Sequence, residues 1–305
     1  MEEGRPCHAA RRSAAQSFRS PDEPMSRSPV LPISRSPDRY AIIAGNGHFP
    51  FLVLEAARDR GLEPLVVAIK EEAAPDLAEK TRDIHWLSLG EVSKCLDLLG
   101  SEKVSKVVLA GQVKHVQLFS SIKPDGRVSR MLQGLHRKNT DALIGAFVRM
   151  IEGRGIHVVD STLFLKPLLA EPGPLTRRAA DAEETADITY GRGLAKKIAG
   201  LDIGQTIVVA DRACIAVEAM EGTDATIERA AALSNGRRLV VIKVSKPRQD
   251  MRFDVPVVGR KTIQVMQQSR ATALAVDAGK TLLFDRQKLI EDADQAGIAI
   301  VGMKD

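Results

Sequence analysis

Short apolar runs alternate with segments of helical periodicity, and this alternation limits the folds open to the chain. The first run, "YAIIAG" (residues 40–45), is followed by "FLVLEAARDRG", whose apolar residues recur at helical spacing. Similar strand-like runs follow in "EPLVVAIK", "DIHWLSL" and "KVVLAGQV", and a helix is predicted over Thr140–Glu152. Strands that alternate with helices indicate a parallel sheet with helices on both faces. We therefore predict a Rossmann-like N-terminal domain over residues 38–165.

A proline-rich segment separates this pattern from a second one. "KPLLAEPGPLTRR" holds three prolines and a glycine, so we predict a linker over residues 166–179. Beyond it come a helix over residues 180–199, two strands joined at Asp211–Arg212, and a helix from about Thr262. The strand-like runs "RRLVVIKVS", "TLLFD" and "IAIVGM" lie among them. The predicted fold class is therefore two α/β domains, of which the second is mixed and spans residues 180–305.

Residues 1–37 differ in composition from the rest and are predicted to form a disordered tail. Arg-Ser-Pro recurs from residues 19, 27 and 35 in a stretch rich in serine, proline and arginine. Such a segment buries too little apolar surface to offset the entropy that it would lose on ordering.

Charge and cysteine content limit the function classes and the compartment. The chain carries a net charge of +5, and 4% of its residues are aromatic. This positive charge suits anionic ligands or an acidic membrane face. The chain lacks the basic, aromatic-rich stripe that is typical of nucleic-acid binders. Cys7, Cys95 and Cys214 share no metal-ligand spacing, and no apolar run is long enough to span a bilayer. We therefore expect a cytosolic protein that binds no nucleic acid.

The motif "AGNGHFP" places two glycines between a predicted strand and a helix. The backbone N–H groups around Gly45, Asn46 and Gly47, at the start of the helix, would attract phosphate. Pro50 replaces the third glycine of G-x-G-x-x-G, and a plain connecting turn remains the alternative. Because ligands of open α/β sheets lie beyond the carboxyl ends of strands, Gln112 of "AGQV" is expected to share a crevice with Asn46; a turn glycine followed by an exposed amide is the alternative.

The motif "EAMEGTDA" ends a predicted strand with a turn rich in carboxylates. Thr223 or Asp224 can cap the following helix, but capping leaves Glu218 and Glu221 unexplained. Glu218 follows Cys214 and Ala216 at every second position of the predicted strand, so its side chain is expected on the same face as theirs. A carboxylate buried on that face needs a partner or a metal. A salt bridge and a functional site are both open for Glu218.

The fourteen residues of "KPRQDMRFDVPVVG" (246–259), here called the charged segment, carry five charged side chains and two prolines. Asp250 and Asp254 supply oxygen ligands of the type that Mg²⁺ prefers, and either could position an attacking water. The prolines stiffen the segment and so lower the entropic cost of holding these groups in place. The alternative is a solvated charged loop. The cations able to hold phosphate oxygens are Lys246, Arg248, Arg252 and, just beyond the segment, Arg260.

Together with "DST" (160–162) and "LDIGQTIVV" (201–209), these motifs resemble those of the LpxI-type UDP-2,3-diacylglucosamine pyrophosphatases, from about Tyr40 to the C-terminus. The resemblance implies Mg²⁺-dependent hydrolysis of UDP-2,3-diacylglucosamine to UMP and 2,3-diacylglucosamine 1-phosphate. The implied reaction is an attack on the β-phosphorus during lipid A synthesis in Gram-negative bacteria. Two α/β domains with the ligand in the cleft between them are also implied. The aspartate of the family's D-x-P element, Asp254 here, is implied to be essential for catalysis.

The residues and the resemblance together predict the members of the site. Asp254 is predicted to be catalytic and a magnesium ligand, with Asp224 and Glu221 as further metal ligands. The predicted partner is a lipid-linked UDP-sugar; contact with the inner-membrane surface is expected from the solubility of that substrate, and a homo-oligomer is a further expectation. The alternative function is a non-catalytic sensor that binds UDP-sugars. The predicted substrate contacts are Gly45, Asn46, Gly47, Gln112, Val113, Thr223, Lys246, Gln249, Arg252 and Thr262.

Overall fold

The computed structural model describes residues 38–113, 126 and 140–304, and the predicted tail over residues 1–37 lies outside them. The N-terminal strands are β1 (Tyr40–Ala44), β2 (Leu65–Ile69), β3 (Ile84–Leu87), β4 (Lys106–Ala110) and β5 (His157–Val158). They form a five-stranded parallel sheet in the order β3-β2-β1-β4-β5. The strand order reverses between β1 and β4, which is where open α/β sheets bind their ligands.

Helices cover both faces of this sheet, and the side chains of β1 alternate between the two faces. Ile42 and Ala44 pack with α1, whereas Ala41 and Ile43 pack with α3 and α4. The predicted Rossmann-like parallel sheet is therefore confirmed. The described helices are α1 (Phe49–Arg58), the short α2 (Leu77–Lys80), α3 (Val92–Ser101) and α4 (Thr140–Glu152).

A six-stranded mixed sheet forms the C-terminal part of the chain. Its strands are β6 (Gly173–Pro174), β7 (Thr206–Ala210), β8 (Ala213–Val217), β9 (Leu239–Lys243), β11 (Ala271–Asp277) and β13 (Ala299–Met303). Strands β9, β11 and β13 run parallel, and β6, β7 and β8 are antiparallel to their neighbours, in the order β6-β13-β11-β9-β7-β8. Two short strands, β10 (Val257–Val258) and β12 (Leu282–Leu283), pair with each other outside this sheet.

The two faces of the mixed sheet are buried under different helices. Ile188 and Ala195 of α5 (Ala182–Gly200) pack against Ile207 and Ile242 on one face. The opposite face is covered by α6 (Thr223–Leu233), α7 (Arg260–Gln268) and α8 (Arg286–Gln295). The predicted mixed α/β architecture is confirmed. None of the helices in the described ranges is both long and apolar enough to cross a membrane.

The sequence interpretation placed the β7–β8 hairpin correctly but missed the central strand β11. Asp211 and Arg212 form the predicted hairpin turn, and both have the left-handed φ values that a two-residue hairpin requires. Strand β11 reads "ATALAVD", and alanine is depleted in strands, so the pattern gave a weak signal. This strand is stabilised by pairing and burial between β9 and β13, because its intrinsic strand propensity is low.

Residues of the predicted linker contact the C-terminal sheet. A 3₁₀ turn over Lys166–Leu168 precedes β6, which pairs with β13. At Gly302 of β13 an added Cβ would collide with the backbone oxygen of Glu171, so this close crossing requires glycine.

Candidate active site

Two loops that follow neighbouring strands are hydrogen-bonded to each other at the reversal point of the N-terminal sheet. The N–H of Asn46 donates to the Gln112 carbonyl at 2.7 Å, and the N–H of Gln112 donates to the Asn46 carbonyl at 3.0 Å. The predicted proximity of Asn46 and Gln112 is thus observed. Gly47 and the Gln112 side chain are exposed beside this bridge, and Val113 follows Gln112.

Glycine is required on both sides of this bridge because the backbones approach closely. A Cβ on Gly45 would lie 2.6 Å from the Gln112 oxygen, and a Cβ on Gly111 would lie 2.6 Å from the Asn46 oxygen. Gly111 also has a φ of +95°, a conformation that favours glycine. Gly47 has a φ of +91° but open space around it, so only its backbone conformation favours glycine.

The charged segment leaves the C-terminal sheet after β9 and packs against the N-terminal one. Phe253 packs against the apolar cluster under α3 and α4, and Val255 and Val257 pack against the cluster under α1. The segment therefore contacts apolar residues on both faces of the N-terminal sheet.

Ser161 of "DST" joins the charged segment to β4. Its buried hydroxyl lies 2.6 Å from the carbonyl oxygens of both Leu109 and Arg252 and can donate to one of them at a time. Its N–H donates to the Met251 carbonyl at 2.9 Å. Because Leu109 precedes Gly111 by two residues and Arg252 precedes Asp254 by two, the glycine bridge and the catalytic candidate lie on adjoining stretches of backbone.

Lys246 lies at the centre of three carboxylates. Its ammonium pairs with Asp141 of α4, with Asp202 at 2.7 Å and with Asp254 at 3.1 Å. Burial works to lower the pKa of Lys246, but the hydrogen bonds to Asp141 and Asp202 and the charge of Asp254 outweigh burial, so the pKa is raised. The pKa of Asp141 is raised, chiefly by burial and further by the nearby charges of Asp254 and Asp202. The hydrogen bond and charge of Lys246 lower this pKa but do not outweigh them. This cluster joins the two sheets.

Asp254 is held on two further sides by amides. The side-chain amide of Gln205 lies 3.4 and 3.5 Å from the two carboxylate oxygens, and the Gln249 amide donates to the Asp254 backbone oxygen. The side chain of Asp254 remains 23% exposed. The carboxylate is thus fixed in direction while one part of it still faces solvent. Gln205 belongs to "LDIGQTIVV", and the sequence pattern alone assigns it no role.

Glu218 belongs to a buried hydrogen-bond network next to Gln205. One carboxylate oxygen accepts from the Thr223 hydroxyl at 2.7 Å, and the other accepts from the Gln205 N–H at 3.0 Å. The Lys243 ammonium donates to the Thr223 hydroxyl at 2.7 Å. Burial works to raise the pKa of Glu218, but the charge of Lys243 and the hydrogen bonds outweigh it, so the pKa is lowered. Of the two alternatives left open for Glu218, the structure shows a partnered carboxylate that supports Gln205.

The two other carboxylates predicted to bind metal have protein partners. Asp224 accepts from the Thr262 hydroxyl at 2.9 Å, and Glu221 pairs with Arg229. In the described part of the chain, no group of three or more histidine, cysteine, aspartate or glutamate side chains is arranged to hold a metal ion. The structure therefore does not bring Asp254, Asp224 and Glu221 together as one ligand cluster.

The arginines predicted to hold phosphate differ in their surroundings. Arg252 pairs with Asp250 at 2.7 Å and with Glu152 of α4 at 2.8 Å. Arg260 pairs with Asp292 at 2.7 Å. Arg248 is exposed and forms no ion pair with any residue in the described ranges.

Comparison with known proteins gives matches along both parts of the chain. The family model described as the LpxI N-terminal domain matches residues 39–168, and that of the LpxI C-terminal domain matches residues 171–301. The UDP-2,3-diacylglucosamine pyrophosphatase LpxI of Caulobacter vibrioides is 31% identical over 276 residues, which cover 87% of this chain and 97% of that protein.

The glycine bridge leads to a first prediction about stability. Gly47→Ala should lower the free energy of unfolding by about 1–2 kcal/mol because only its backbone is strained. Gly111→Ala should lower it by about 3 kcal/mol or more, since the same strain is joined by contacts with Asn46 and Gly45. Urea denaturation of both variants measures this difference, and equal losses would contradict the steric account of the bridge.

The Glu218 network leads to a second prediction, which concerns pH. Because the pKa of Glu218 is lowered on folding from its ordinary value of 4.5, the unfolded chain takes up the proton first as the pH falls. The stabilising contribution is therefore complete above that value and is lost as the pH falls through the folded pKa. Glu218→Gln should lower the free energy of unfolding near neutral pH by about 1–3 kcal/mol, and it should flatten the decline of stability in acid.

The control for this measurement is Glu221→Gln, because Glu221 is an exposed carboxylate of the same turn whose pKa is also lowered. Its replacement should leave the unfolding free energy nearly unchanged, since an ion pair in water contributes little. An acid decline in the Glu218→Gln variant as steep as that of the parent chain would contradict the assigned role of Glu218.

Proposed function

The chain belongs to the LpxI family, and we propose that it hydrolyses the pyrophosphate bond of UDP-2,3-diacylglucosamine to UMP and 2,3-diacylglucosamine 1-phosphate in lipid A synthesis. Support comes from the family matches along both domains and from the curated relative, which is itself a UDP-2,3-diacylglucosamine pyrophosphatase. The sensor alternative is not favoured, because the similar protein is an enzyme.

The observation that carries this proposal is the placement of Asp254. Its carboxylate is fixed by Lys246 and Gln205 and is still partly exposed. It also lies on the segment that Ser161 attaches to the end of β4, next to the glycine bridge. A polar, oriented carboxylate where elements of both domains meet is suited to act on a substrate that contacts both domains.

We assign Asp254 the role of orienting and deprotonating the attacking water. The water oxygen bonds to the β-phosphorus, the bond from that phosphorus to the bridging oxygen breaks, and UMP leaves. The proton of the water passes to the Asp254 carboxylate. Gln205 and Lys246 act through Asp254 by fixing its direction, so they are positioning residues for this step.

The predicted substrate contacts divide into two groups. Gly45, Asn46, Gly47, Gln112 and Val113 lie at the glycine bridge and would face one part of the substrate. The second group would face the diphosphate, although Arg252 and Lys246 already pair with carboxylates, and phosphate would have to compete with these for both cations. That second group consists of Thr223, Lys246, Gln249, Arg252 and Thr262.

Magnesium fits the charge of the site through Asp254. One ammonium among the carboxylates of Asp141, Asp202 and Asp254 leaves a formal negative charge there, and a diphosphate brought beside it would be repelled unless a cation lay between. Mg²⁺ commonly binds through one or two carboxylates, substrate phosphates and waters, so a larger protein cluster is not needed. Asp254 would hold it, and Asp224 and Glu221 could contribute through waters of its shell. When bound, the ion would offset the charge that develops on the phosphate oxygens.

The assay for this function uses purified protein and UDP-2,3-diacylglucosamine. UMP should be released when Mg²⁺ is present, EDTA should stop the release, and excess Mg²⁺ should restore it. Hydrolysis in ¹⁸O-labelled water should place the label in the sugar phosphate, because the β-phosphorus is attacked. Absence of UMP with a folded protein would overturn the proposed reaction, and label in UMP would overturn the site of attack.

Asp254→Asn tests the catalytic assignment. The amide keeps the shape of the side chain but removes the base, so turnover should fall by about 10²–10⁴-fold. Substrate binding and thermal stability should be largely retained. Asp250→Asn is the matched control in the same segment, because Asp250 pairs with Arg252 and is assigned no chemical step. Unimpaired hydrolysis by the Asp254 variant would refute its role.

A further inference from the structure

Three of the five large apolar side chains that are exposed in the described residues belong to two short, neighbouring turns. Leu201 and Ile203 lie in the turn between α5 and β7 and are 69% and 47% exposed, and Met220 follows β8 and is 79% exposed. Soluble surfaces rarely collect large exposed apolar side chains without a binding role. These three residues are called the apolar rim below.

The backbone brings the two turns of the apolar rim together. The N–H of Glu218 donates to the carbonyl of Thr206, the first residue of β7, at 2.8 Å, which continues the pairing of the two strands one residue beyond β8. At Gly204 an added Cβ would collide with the Glu218 carbonyl, so the turn that carries Ile203 lies against the residues just before Met220.

The apolar rim lies next to the candidate active site. Asp202, which stands between Leu201 and Ile203, pairs with Lys246 at 2.7 Å. Gln205, two residues after Ile203, contacts Asp254. The same stretch of chain therefore exposes apolar side chains outward and directs polar groups inward to the site.

Exposed cations accompany the apolar rim. Lys197 lies one helical turn before Leu201, whose N–H donates to the Lys197 carbonyl at 3.2 Å. Pro247 packs within 3.6 Å of the Cβ position at Gly200, which places Arg248 near the same turn. Neither Lys197 nor Arg248 forms an ion pair with a residue in the described ranges.

The acidic groups of these turns have cationic partners, although Asp202 shares Lys246 with Asp141 and Asp254. Asp202 pairs with Lys246, and Glu221 pairs with Arg229. The exposed surface of these turns combines apolar side chains with two cations that have no counter-charge among the described residues, which is the composition of surfaces that bind anionic membranes.

We propose that the apolar rim, with Lys197 and Arg248, docks on the surface of an anionic lipid bilayer. The rim would enter the headgroup region while the two cations contact lipid phosphates. Docking should speed turnover of a two-chain lipid substrate that resides in such a bilayer, and this consequence rests on the proposed function. The docking itself does not depend on any reaction.

A second copy of this chain fits the same surface less well than a bilayer does. Three exposed side chains cover far less area than the roughly 800 Å² per partner of a stable interface. A twofold interface would also bring Lys197 and Arg248 of both copies close together, and like charges oppose association.

Vesicle flotation without substrate tests the docking directly. The full chain should bind vesicles of phosphatidylcholine with phosphatidylglycerol more tightly than vesicles of phosphatidylcholine alone, and added salt should weaken binding. Replacing Lys197 by Gln should weaken it about fivefold, as should Arg248→Gln. The double variant Leu201→Ser with Met220→Ser should also lose binding, because it removes the apolar contact.

Matched controls lie away from the apolar rim on the same elements. Leu233→Ser changes an exposed leucine at the other end of α6, and Arg212→Gln changes a cation at the closed end of the hairpin. Both controls should bind vesicles as the parent chain does. Equal weakening by controls and rim variants would overturn the proposal, as would equal binding of the parent chain to neutral and anionic vesicles.

Two further measurements distinguish bilayer docking from dimer formation and from a failure of the proposed function. If gel filtration shows that the Leu201→Ser, Met220→Ser variant loses a dimer while its vesicle binding is unchanged, the surface serves a second copy and the proposal fails. The variant should release UMP at the parent rate from a short-chain, monomeric substrate but more slowly from vesicle-embedded substrate. If the parent chain binds vesicles but releases UMP from neither substrate, the proposed function is refuted and the docking surface is still supported.

Discussion

The ammonium of Lys246 lies within 3.1 Å of carboxylate oxygens from three separate parts of the chain, and the geometry of the candidate site depends on this cluster. Asp141 comes from α4 on the N-terminal sheet, whereas Asp202 and Asp254 belong to the C-terminal half. A half-buried charge is stable only when it is partnered, so Lys246 favours the arrangement in which all three parts meet. Phe253 stabilises the same arrangement by packing against the apolar residues of the N-terminal sheet.

The parts of the fold that depend on local pattern could be predicted from the sequence. Short apolar runs predicted the strands of the N-terminal sheet, and the geometry of open α/β sheets predicted that Asn46 and Gln112 would meet. Strand β11 escaped because its alanines give little local signal, although its neighbours bury it completely. Local composition therefore predicted the strands rich in branched apolar residues and missed the alanine-rich strand at the centre of the second sheet.

The interior of the candidate site could be predicted only in part, because partners distant in sequence decide what each residue can do. Gln205 and Asp254 are 49 residues apart, and Lys246 and Asp141 are 105 apart. Neither distance leaves a pattern in one sequence. For the same reason the sequence showed Arg252 as a cation suited to phosphate but could not show that Asp250 and Glu152 already pair with it. Ser161 likewise gained a role only when its contacts with Leu109 and Arg252 were seen.

The placement of Asp202 connects the proposed docking surface with the proposed chemistry. Its neighbours Leu201 and Ile203 are exposed, while its own carboxylate reaches Lys246 in the site. A bilayer that received the apolar rim would place its headgroup region beside the stretch of chain that carries Asp202 to the Lys246 cluster. A substrate whose acyl chains stay among the lipids would present its diphosphate in that headgroup region. Residues 201–205 thus carry two of the three rim side chains together with Asp202 and Gln205, so the proposed lipid contact and the orientation of Asp254 depend on one short stretch of chain.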